Sequence, residues 1–355
     1  MSEVLRVLTL GDLHFKTSNV RETTNMCSKI LEYIQNNLSN IDVIMVMGDV
    51  LDRHEHIHVV PLTQSIKFLY DLSKLKKTYV LIGNHDRPNN NDFLSDYHPF
   101  VGVGDDNLTI VDKVTLITLK SFKFVLVPYV YPGRFQEALD TKKTEITNPQ
   151  EIDCFFCHQE FYGTTMGAVV STVGDRWPKD VSYIISGHIH DYCRPQENIV
   201  YVGTPIQHAF GDRDDKTISM FTFDKREFTI GEENTLKQKY PKENRIDLKL
   251  LKRIACRVKC KDVIKWIPPE GYLIKLIITG TSSEIKAILK LEYLKVLSKK
   301  GVKICYDSTT EIIENYGKTL KMEESRLPYA ARLKESIKEN PRHQYWFDKL
   351  FNRMT

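Results

Sequence analysis

Five short segments of this 355-residue chain each place a carboxylate, an imidazole or a carboxamide just beyond an apolar run. They are Gly11-Asp12-Leu13-His14, Gly48-Asp49-Val50-Leu51-Asp52, Gly83-Asn84-His85-Asp86, Cys157-His158 and Gly187-His188-Ile189-His190. In an α/β fold, residues that follow strands project into a common crevice, so segments far apart in sequence can meet. Four of the five contain a Gly beside the polar residue, which lets the backbone turn sharply at the end of a strand and aim the next side chains at one point.

The assembled set is Asp, His, Asp, Asn, His, His and His, with no thiolate. Oxygen and nitrogen donors of this kind suit Mn²⁺, Fe²⁺ or Zn²⁺ and argue against a structural zinc site of the cysteine type. One carboxylate can bridge two ions roughly 3.5 to 4 Å apart, a centre that activates water and stabilises the leaving oxygen of a phosphoester. Alternate residues of an extended segment share a side, so His188 with His190, and Asp12 with His14, can serve neighbouring ions. Each D-x-H or H-x-H pair alone is as readily an ordinary loop; five such segments in this order are not.

The elements that must position these residues are legible as periodicity. Apolar runs at 5–10, 42–47, 78–82, 122–127, 152–157, 181–185, 199–202 and 218–223 have the length of strands buried on both faces. Helical spacing of Cys27, Ile30, Leu31 and Ile34 predicts a helix over 20–36, and a second falls at 62–75. The alternation predicts an α/β sandwich. Residues 231–245 are polar and aperiodic and read as a break. Beyond it, 271–279 and 302–306 are expected strands. They flank one amphipathic helix over 283–298, opened by a capping box at Thr281 and Glu284 and closed by Gly301. Two short helices are expected at 330–338 and 343–351.

Residues 1–232 carry 23 Lys and Arg against 31 Asp and Glu, whereas 233–355 carry 27 against 15, so a net charge of +4 conceals an acidic first part and a basic second part. Nine basic residues fall within 242–265 beside Trp266, which reads either as a phosphate-binding surface or as a solvated linker. A hydrophobic content of 41% excludes disorder as the main state. Neither a membrane-length apolar run nor a signal-peptide pattern is found, which sets the expectation of a soluble intracellular protein. Seven cysteines at spacings that match no zinc ribbon are expected to be reduced and mostly buried. Cys154-Phe155-Phe156-Cys157-His158 fits the haem-attachment pattern C-x-x-C-H only by accident, since the segment is an apolar strand.

The ordered series GDLH, GDVLD, GNHD, CHQE and GHIH, spanning residues 10–190, resembles the calcineurin-like metallophosphoesterases. That resemblance implies a β-sandwich flanked by helices, with Asp12, His14 and His190 on one metal, Asn84, His158 and His188 on the other, and Asp49 bridging. It further implies that His85 protonates the leaving oxygen, with Asp86 orienting its ring. Two divalent ions are implied, Mn²⁺ first, with Mg²⁺, Fe²⁺ and Zn²⁺ as alternatives. Within the superfamily the chain is most similar to the SbcD-type recombination and repair nucleases. The similarity rests on the early first motif, the stretch Gly203-Thr204-Pro205-Ile206-Gln207-His208-Ala209-Phe210-Gly211, and a small α/β cap with a helical tail beyond the catalytic part; the basic second part supports it independently. It implies a nuclease domain over 1–232, a basic linker with a small α/β DNA-capping domain over 233–310, and a helical tail over 311–355. It also implies exonuclease and single-strand endonuclease action on DNA, an SMC-like coiled-coil ATPase partner bound by the tail, and a homodimer formed through helices near 62–75 and 91–100.

Two departures qualify the likeness. Some nucleases of this kind carry a histidine three residues after the bridging Asp, where this chain has Asp52; His54, His56 and His58 follow and read more simply as a solvent loop. Asp52-Arg53 resembles the D-R of protein Ser/Thr phosphatases, but His54 replaces the Gly that should follow and the third motif ends in Asp86 rather than Glu. A phosphatase or small-molecule phosphodiesterase on the same metal centre, and a non-catalytic DNA-end scaffold, are the alternatives.

Overall fold

Runs such as Val-Ile-Met-Val, Cys-Phe-Phe-Cys and Tyr-Ile-Ile-Ser are apolar on both faces of a strand and can form only where both faces are covered. The computed structural model, which describes residues 4–54, 56–167, 169–225 and 240–308, places them there. In chain order the elements are β1 (Val4–Leu10), α1 (Val20–Asn36), β2 (Val43–Val46), α2 (Val59–Ser73), β3 (Thr78–Leu81), β4 (Leu108–Val111), β5 (Thr115–Leu119), β6 (Phe122–Val127), α3 (Phe135–Asp140) and β7 (Cys154–Cys157). A two-residue hairpin follows, β8 (Thr165–Met166) and β9 (Val169–Val170), then β10 (Tyr183–Ser186), β11 (Cys193–Gln196), β12 (Ile199–Tyr201), β13 (Ile218–Asp224) and β14 (Lys242–Ile246). The last part comprises β15 (Lys252–Lys259), β16 (Tyr272–Gly280), α4 (Ser282–Ile288), α5 (Glu292–Lys299) and β17 (Lys303–Ser308).

Two six-stranded sheets, β14-β13-β1-β2-β3-β4 and β11-β12-β10-β7-β6-β5, form the sandwich. Strands β1 to β4 run parallel in the first sheet, and β6, β7, β10 and β12 run parallel in the second. Between the sheets lies an aromatic core that includes Phe122, Phe124, Phe156, Tyr183, Phe221 and Phe223. The outer face of the first sheet is covered by α1 and α2 through Met26, Ile30, Ile34, Phe68, Leu69 and Leu72. The outer face of the second is covered by Phe135, Leu139, Phe161 and Trp177. This helix–sheet–sheet–helix layering is the expected α/β sandwich flanked by helices. No helix among the described residues is long and apolar enough to cross a membrane. All seven cysteines are free thiols, four buried and three half-buried.

The chain departs from the periodicity in three places. Residues 242–246, which overlap the end of the segment expected to be an aperiodic break, form β14 and pair antiparallel with β13, so the first sheet continues into the residues expected to be linker. β15, expected to be a basic surface or a linker, pairs in parallel register with β16 and turns Ile254, Cys256 and Val258 inward while Arg257 and Lys259 stay exposed. The helix expected over 283–298 is broken into α4 and α5, with Leu291 extended between them. Ile285, Ile288, Leu291, Leu294 and Leu297 all pack on the small three-stranded sheet, and a strict three-residue spacing slips about 60° per step around an α-helix. One straight helix would carry half of them away from the sheet; the break lets both halves face it. The capping box stands, with Thr281 Oγ1 accepting from Glu284 N at 3.3 Å and Glu284 Oε2 accepting from Thr281 N at 2.8 Å. The helices expected at 330–338 and 343–351 lie outside the described residues.

Phe223 is fully buried, with its ring centroid 5.0 Å from Phe124 and 5.8 Å from Phe122. Phe223→Ala is expected to lower the unfolding free energy by about 3 to 5 kcal/mol. Urea unfolding measures this, and a loss below about 1 kcal/mol would mean the sheets are not close-packed at that point.

Candidate metal centre

Five parallel strand ends deliver the site. Asp12 and His14 follow β1, Asp49 follows β2, Asn84 and His85 follow β3, His158 follows β7, and His188 and His190 follow β10. The carboxyl ends of both sheets therefore open on one crevice, and the two sheets are stitched there by His158 Nδ1, which donates to Met47 O at 2.7 Å.

The glycines in these segments act chiefly by being small. A Cβ on Gly11 would sit 1.7 Å from Gly203 O, one on Gly83 would sit 2.2 Å from Asp49 Oδ1, and one on Gly187 would sit 2.5 Å from Met47 O. Of the four, Gly48 alone has a left-handed backbone, at φ 99°. The sharp turns expected of the glycines fall instead on the donor residues themselves, His14 (φ 46°), Asp49 (φ 47°) and His188 (φ 81°). Each such turn costs about 1 to 3 kcal/mol and persists only where its surroundings enforce it. Two enforcing bonds are Leu13 N and His14 N, which both donate to Asp49 O at 3.1 and 3.0 Å.

Two groups of donors result. Asp12, His14 and His190 form one, with His14 Nε2 and His190 Nε2 only 2.9 Å apart. Asp49, His158 and His188 form the other, and Asn84 joins it, its Oδ1 lying 3.1 Å from His158 Nε2 and 3.0 Å from His188 Nδ1. The amide is oriented by Asn84 Nδ2 facing Asn90 Oδ1 at 3.4 Å, which turns the oxygen inward. Asp49 stands between the groups, Oδ1 at 3.4 Å from His158 Nε2 and Oδ2 at 3.7 Å from His14 Nε2. The seven residues expected to bind metal are thus all brought together, in the two sets expected of them.

The donor set fits divalent cations. Asp12 Oδ1 accepts from His188 N at 3.1 Å, while its fully buried Oδ2 has no hydrogen-bond partner among the described residues and lies 3.9 Å from His190 Nε2. Burial holds the Asp12 carboxyl above the usual range, and it takes His14 well below the usual imidazole range. Burial acts to raise Asp49 as well, but the charge and hydrogen bond of His158 outweigh it and hold that carboxyl well below normal. For His158, burial opposes the imidazolium, yet the charges of Asp49 and Asp12 prevail and push its pKa up to about 9; burial takes His188 down to about 3. Without a cation, a proton on His158 is what offsets the two carboxylates.

His85 lies at the rim, its side chain 33% exposed, and its N–H donates to Asp49 Oδ1 at 2.8 Å. The ring is oriented otherwise than expected. His85 Nδ1 donates to Asp52 O at 2.9 Å, leaving Nε2 on the metal side, 4.0 Å from Asp49 Oδ2. Asp86 instead accepts from Val50 N, Leu51 N and Gly83 N at 3.2, 2.9 and 3.0 Å, tying the second and third motifs to each other. Burial, then the charge of Asp49, push the Asp86 carboxyl up to about 6 against the pull of those donors.

Two further histidines belong to the site. His54, expected in a solvent loop, stacks on His85 with ring centroids 4.8 Å apart and 16° between planes, its Nδ1 donating to Arg87 O at 3.2 Å; His56 and His58 are exposed. His208 donates from Nε2 to Asp12 O at 3.1 Å and meets His14 and His190 edge-on at 4.8 and 5.3 Å. The only signal for it in the sequence is the stretch around Gly203 and Thr204.

A two-sheet sandwich with two donor groups joined by one aspartate defines a metal-dependent hydrolase. A family model described as calcineurin-like phosphoesterase matches residues 5–192. Phosphoesterase 244L of Invertebrate iridescent virus 6, a provisional name, is 37% identical over 286 residues, covering 80% of this chain and 97% of that protein. Phosphoesterase 078R of Invertebrate iridescent virus 3, also provisionally named, is 37% identical over 301 residues, covering 84% and 83%. Among solved structures, the Plasmodium protein GAP50, described as the anchor in the inner membrane complex, matches 68% of this chain and 89% of its own at 14% identity and a TM-score of 0.39, too low to argue from. The chain belongs to the calcineurin-like phosphoesterases.

Because a cation on His158 must displace a proton held to about pH 9, divalent-metal affinity is expected to climb as pH rises from about 6.5 to 9 and to level off above that, with proton release on binding. Calorimetric titration of metal-stripped protein in buffers of different ionisation enthalpy measures both, and affinity that is flat across this window would contradict the assignment.

Proposed function

We propose that this phosphoesterase is a divalent-metal-dependent DNA nuclease, with exonuclease and single-strand endonuclease activity. In this reading it is a homodimer working with an SMC-like coiled-coil ATPase in DNA recombination and repair. The observation that carries the nucleic-acid reading is the basic module set against the metal centre. Residues 252–308 hold thirteen Lys and Arg against five Asp and Glu. Arg253 N donates to Gln207 Oε1 at 2.6 Å and Arg253 Nε to Gln207 O at 2.9 Å, next to His208 at the first donor group. Arg253 is further held by Glu22. Lysine and arginine that neutralise backbone phosphates supply most sequence-independent DNA affinity, and a phosphomonoesterase has no need of such a module.

Bound at this site, two divalent cations would supply Lewis acidity that polarises the phosphoryl group and lowers the pKa of water. The chain's own part is to hold charge and move a proton. Hydrolysis adds the oxygen of water to phosphorus, breaks one P–O bond and delivers a proton to the departing oxygen. His85 is the residue for that last transfer, as the imidazolium: Asp52 O takes the Nδ1–H, the second proton sits on Nε2, which faces the reacting side, and His54 lies flat against the ring. Asp49, shared by both donor groups, keeps their separation, and Asp86 sets its loop relative to that of His85.

His85→Ala is expected to lower turnover about 10²- to 10⁴-fold with metal content unchanged. The assay is incubation with linear duplex, single-stranded and hairpin DNA in Mn²⁺ or Mg²⁺, beside a chromogenic phosphodiester and a phosphomonoester. Preference for the monoester would favour a phosphatase, and cation binding without hydrolysis of any ester would favour a DNA-end scaffold. DNA binding is expected to fall at least about tenfold between 50 and 200 mM salt, and salt-insensitive binding would count against the basic module as the contact surface.

A further inference from the structure

Most histidines at this centre fix their second ring nitrogen on a backbone carbonyl. His158 Nδ1 donates to Met47 O at 2.7 Å, His85 Nδ1 to Asp52 O at 2.9 Å and His208 Nε2 to Asp12 O at 3.1 Å. His188 is arranged differently. Its Nδ1 points inward, 3.0 Å from the Asn84 Oδ1 that also meets His158, so Nε2 is the outward nitrogen. A ring that offers its Nδ1 lone pair to a cation carries its proton on Nε2. The group facing that nitrogen is Glu160 Oε2, at 4.0 Å.

Glu160 is 7% exposed, and its Oε1 is buried with no hydrogen-bond partner among the described residues. A carboxylate oxygen taken out of water without a partner costs free energy, and the backbone that carries this one is fixed. Its carbonyl accepts from Asp175 N at 2.9 Å, and the next residue, Phe161, donates its N–H to the buried Tyr201 hydroxyl at 2.8 Å. It sits two residues beyond His158, on the turn that leaves β7, and these bonds fix the backbone from which the side chain projects towards His188. The Tyr129 ring lies 5.6 Å from the His188 ring, tilted by 33°, and limits its movement from one side.

We infer that Glu160 is a positioning residue for the second donor group: its carboxyl takes the Nε2–H of His188 and so fixes the tautomer and direction of the ring that Nδ1 presents to the cation. The present 4.0 Å is beyond hydrogen-bond range, and a side-chain rotation of about 1 Å closes it as the ring is drawn onto a cation. Carboxylates that support metal-binding imidazoles in this way typically govern affinity by about 10- to 100-fold. The inference rests on the two-cation reading of the site and is independent of the nucleic-acid reading.

The test is Mn²⁺ titration of the metal-stripped full chain, free Mn²⁺ being read by electron paramagnetic resonance, for the wild type, Glu160→Leu and Glu160→Gln. The wild type is expected to bind two cations. Glu160→Leu should keep one at wild-type affinity and weaken the other about 10- to 100-fold, while Glu160→Gln, which retains an acceptor oxygen and therefore also controls for folding, should lose less than about fivefold. In Zn²⁺-loaded protein labelled at histidine with ¹⁵N, the Nε2 proton of His188 should appear downfield in the wild type and move upfield in Glu160→Leu, a change that a merely space-filling role would not produce. Two cations bound by Glu160→Leu as tightly as by the wild type, or a His188 proton found on Nδ1, would overturn the inference and leave the site reading intact. A wild type that binds no Mn²⁺ would overturn both.

Discussion

The constraint on which this structure turns is the crowding of electron pairs in a buried place. Asp12 and Asp49 are both buried, and around them the ring nitrogens of His14, His158, His188 and His190 point inward, two of them 2.9 Å apart. Such a cluster is self-repelling unless positive charge sits within it. A proton on His158 does this in part. Two divalent cations would do it fully, which is why the same geometry that looks costly as bare protein is suited to holding metal and to withdrawing electrons from a phosphoester.

The fold exists in a form that can bear this cost. Five strands end at one crevice, their cores packed by aromatic and aliphatic side chains away from the site, and the liganding loops are cross-tied: Asp86 binds the second motif to the third, Asp49 O holds the first, and His188 N–H grips Asp12. The left-handed backbones of His14, Asp49 and His188 show where the strain is held. Small residues at Gly11, Gly83 and Gly187 let three of these loops pass close enough for the donors to converge. Rigidity is the functional point, because donors fixed in advance need no reorganisation when charge develops on the reacting phosphate.

The convergence of the donors was legible because their signal is doubly local: a polar residue beside glycine, at the end of an apolar run. What escaped notice depends on partners that leave no trace in residue type. The acceptor for His85 is the carbonyl of Asp52, which any residue at that position could supply, whereas the family resemblance implies Asp86 for that role. His54 reaches His85 only through the path of a loop, and His208 reaches Asp12 from nearly two hundred residues away. In the second part, the alternation of Ile254, Cys256 and Val258 was hidden by the charges interleaved with it, and a three-residue apolar period was read as one helix where the chain makes two.

The central claim is that the two donor groups hold two cations with Asp49 between them. Anomalous diffraction at the manganese edge, from crystals grown with Mn²⁺, tests it most directly. The account predicts two peaks roughly 3.5 to 4 Å apart, one against Asp12, His14 and His190 and one against Asn84, His158 and His188, with an Asp49 oxygen facing each. A single peak, a pair that does not share Asp49, or density only at surface carboxylates would contradict it.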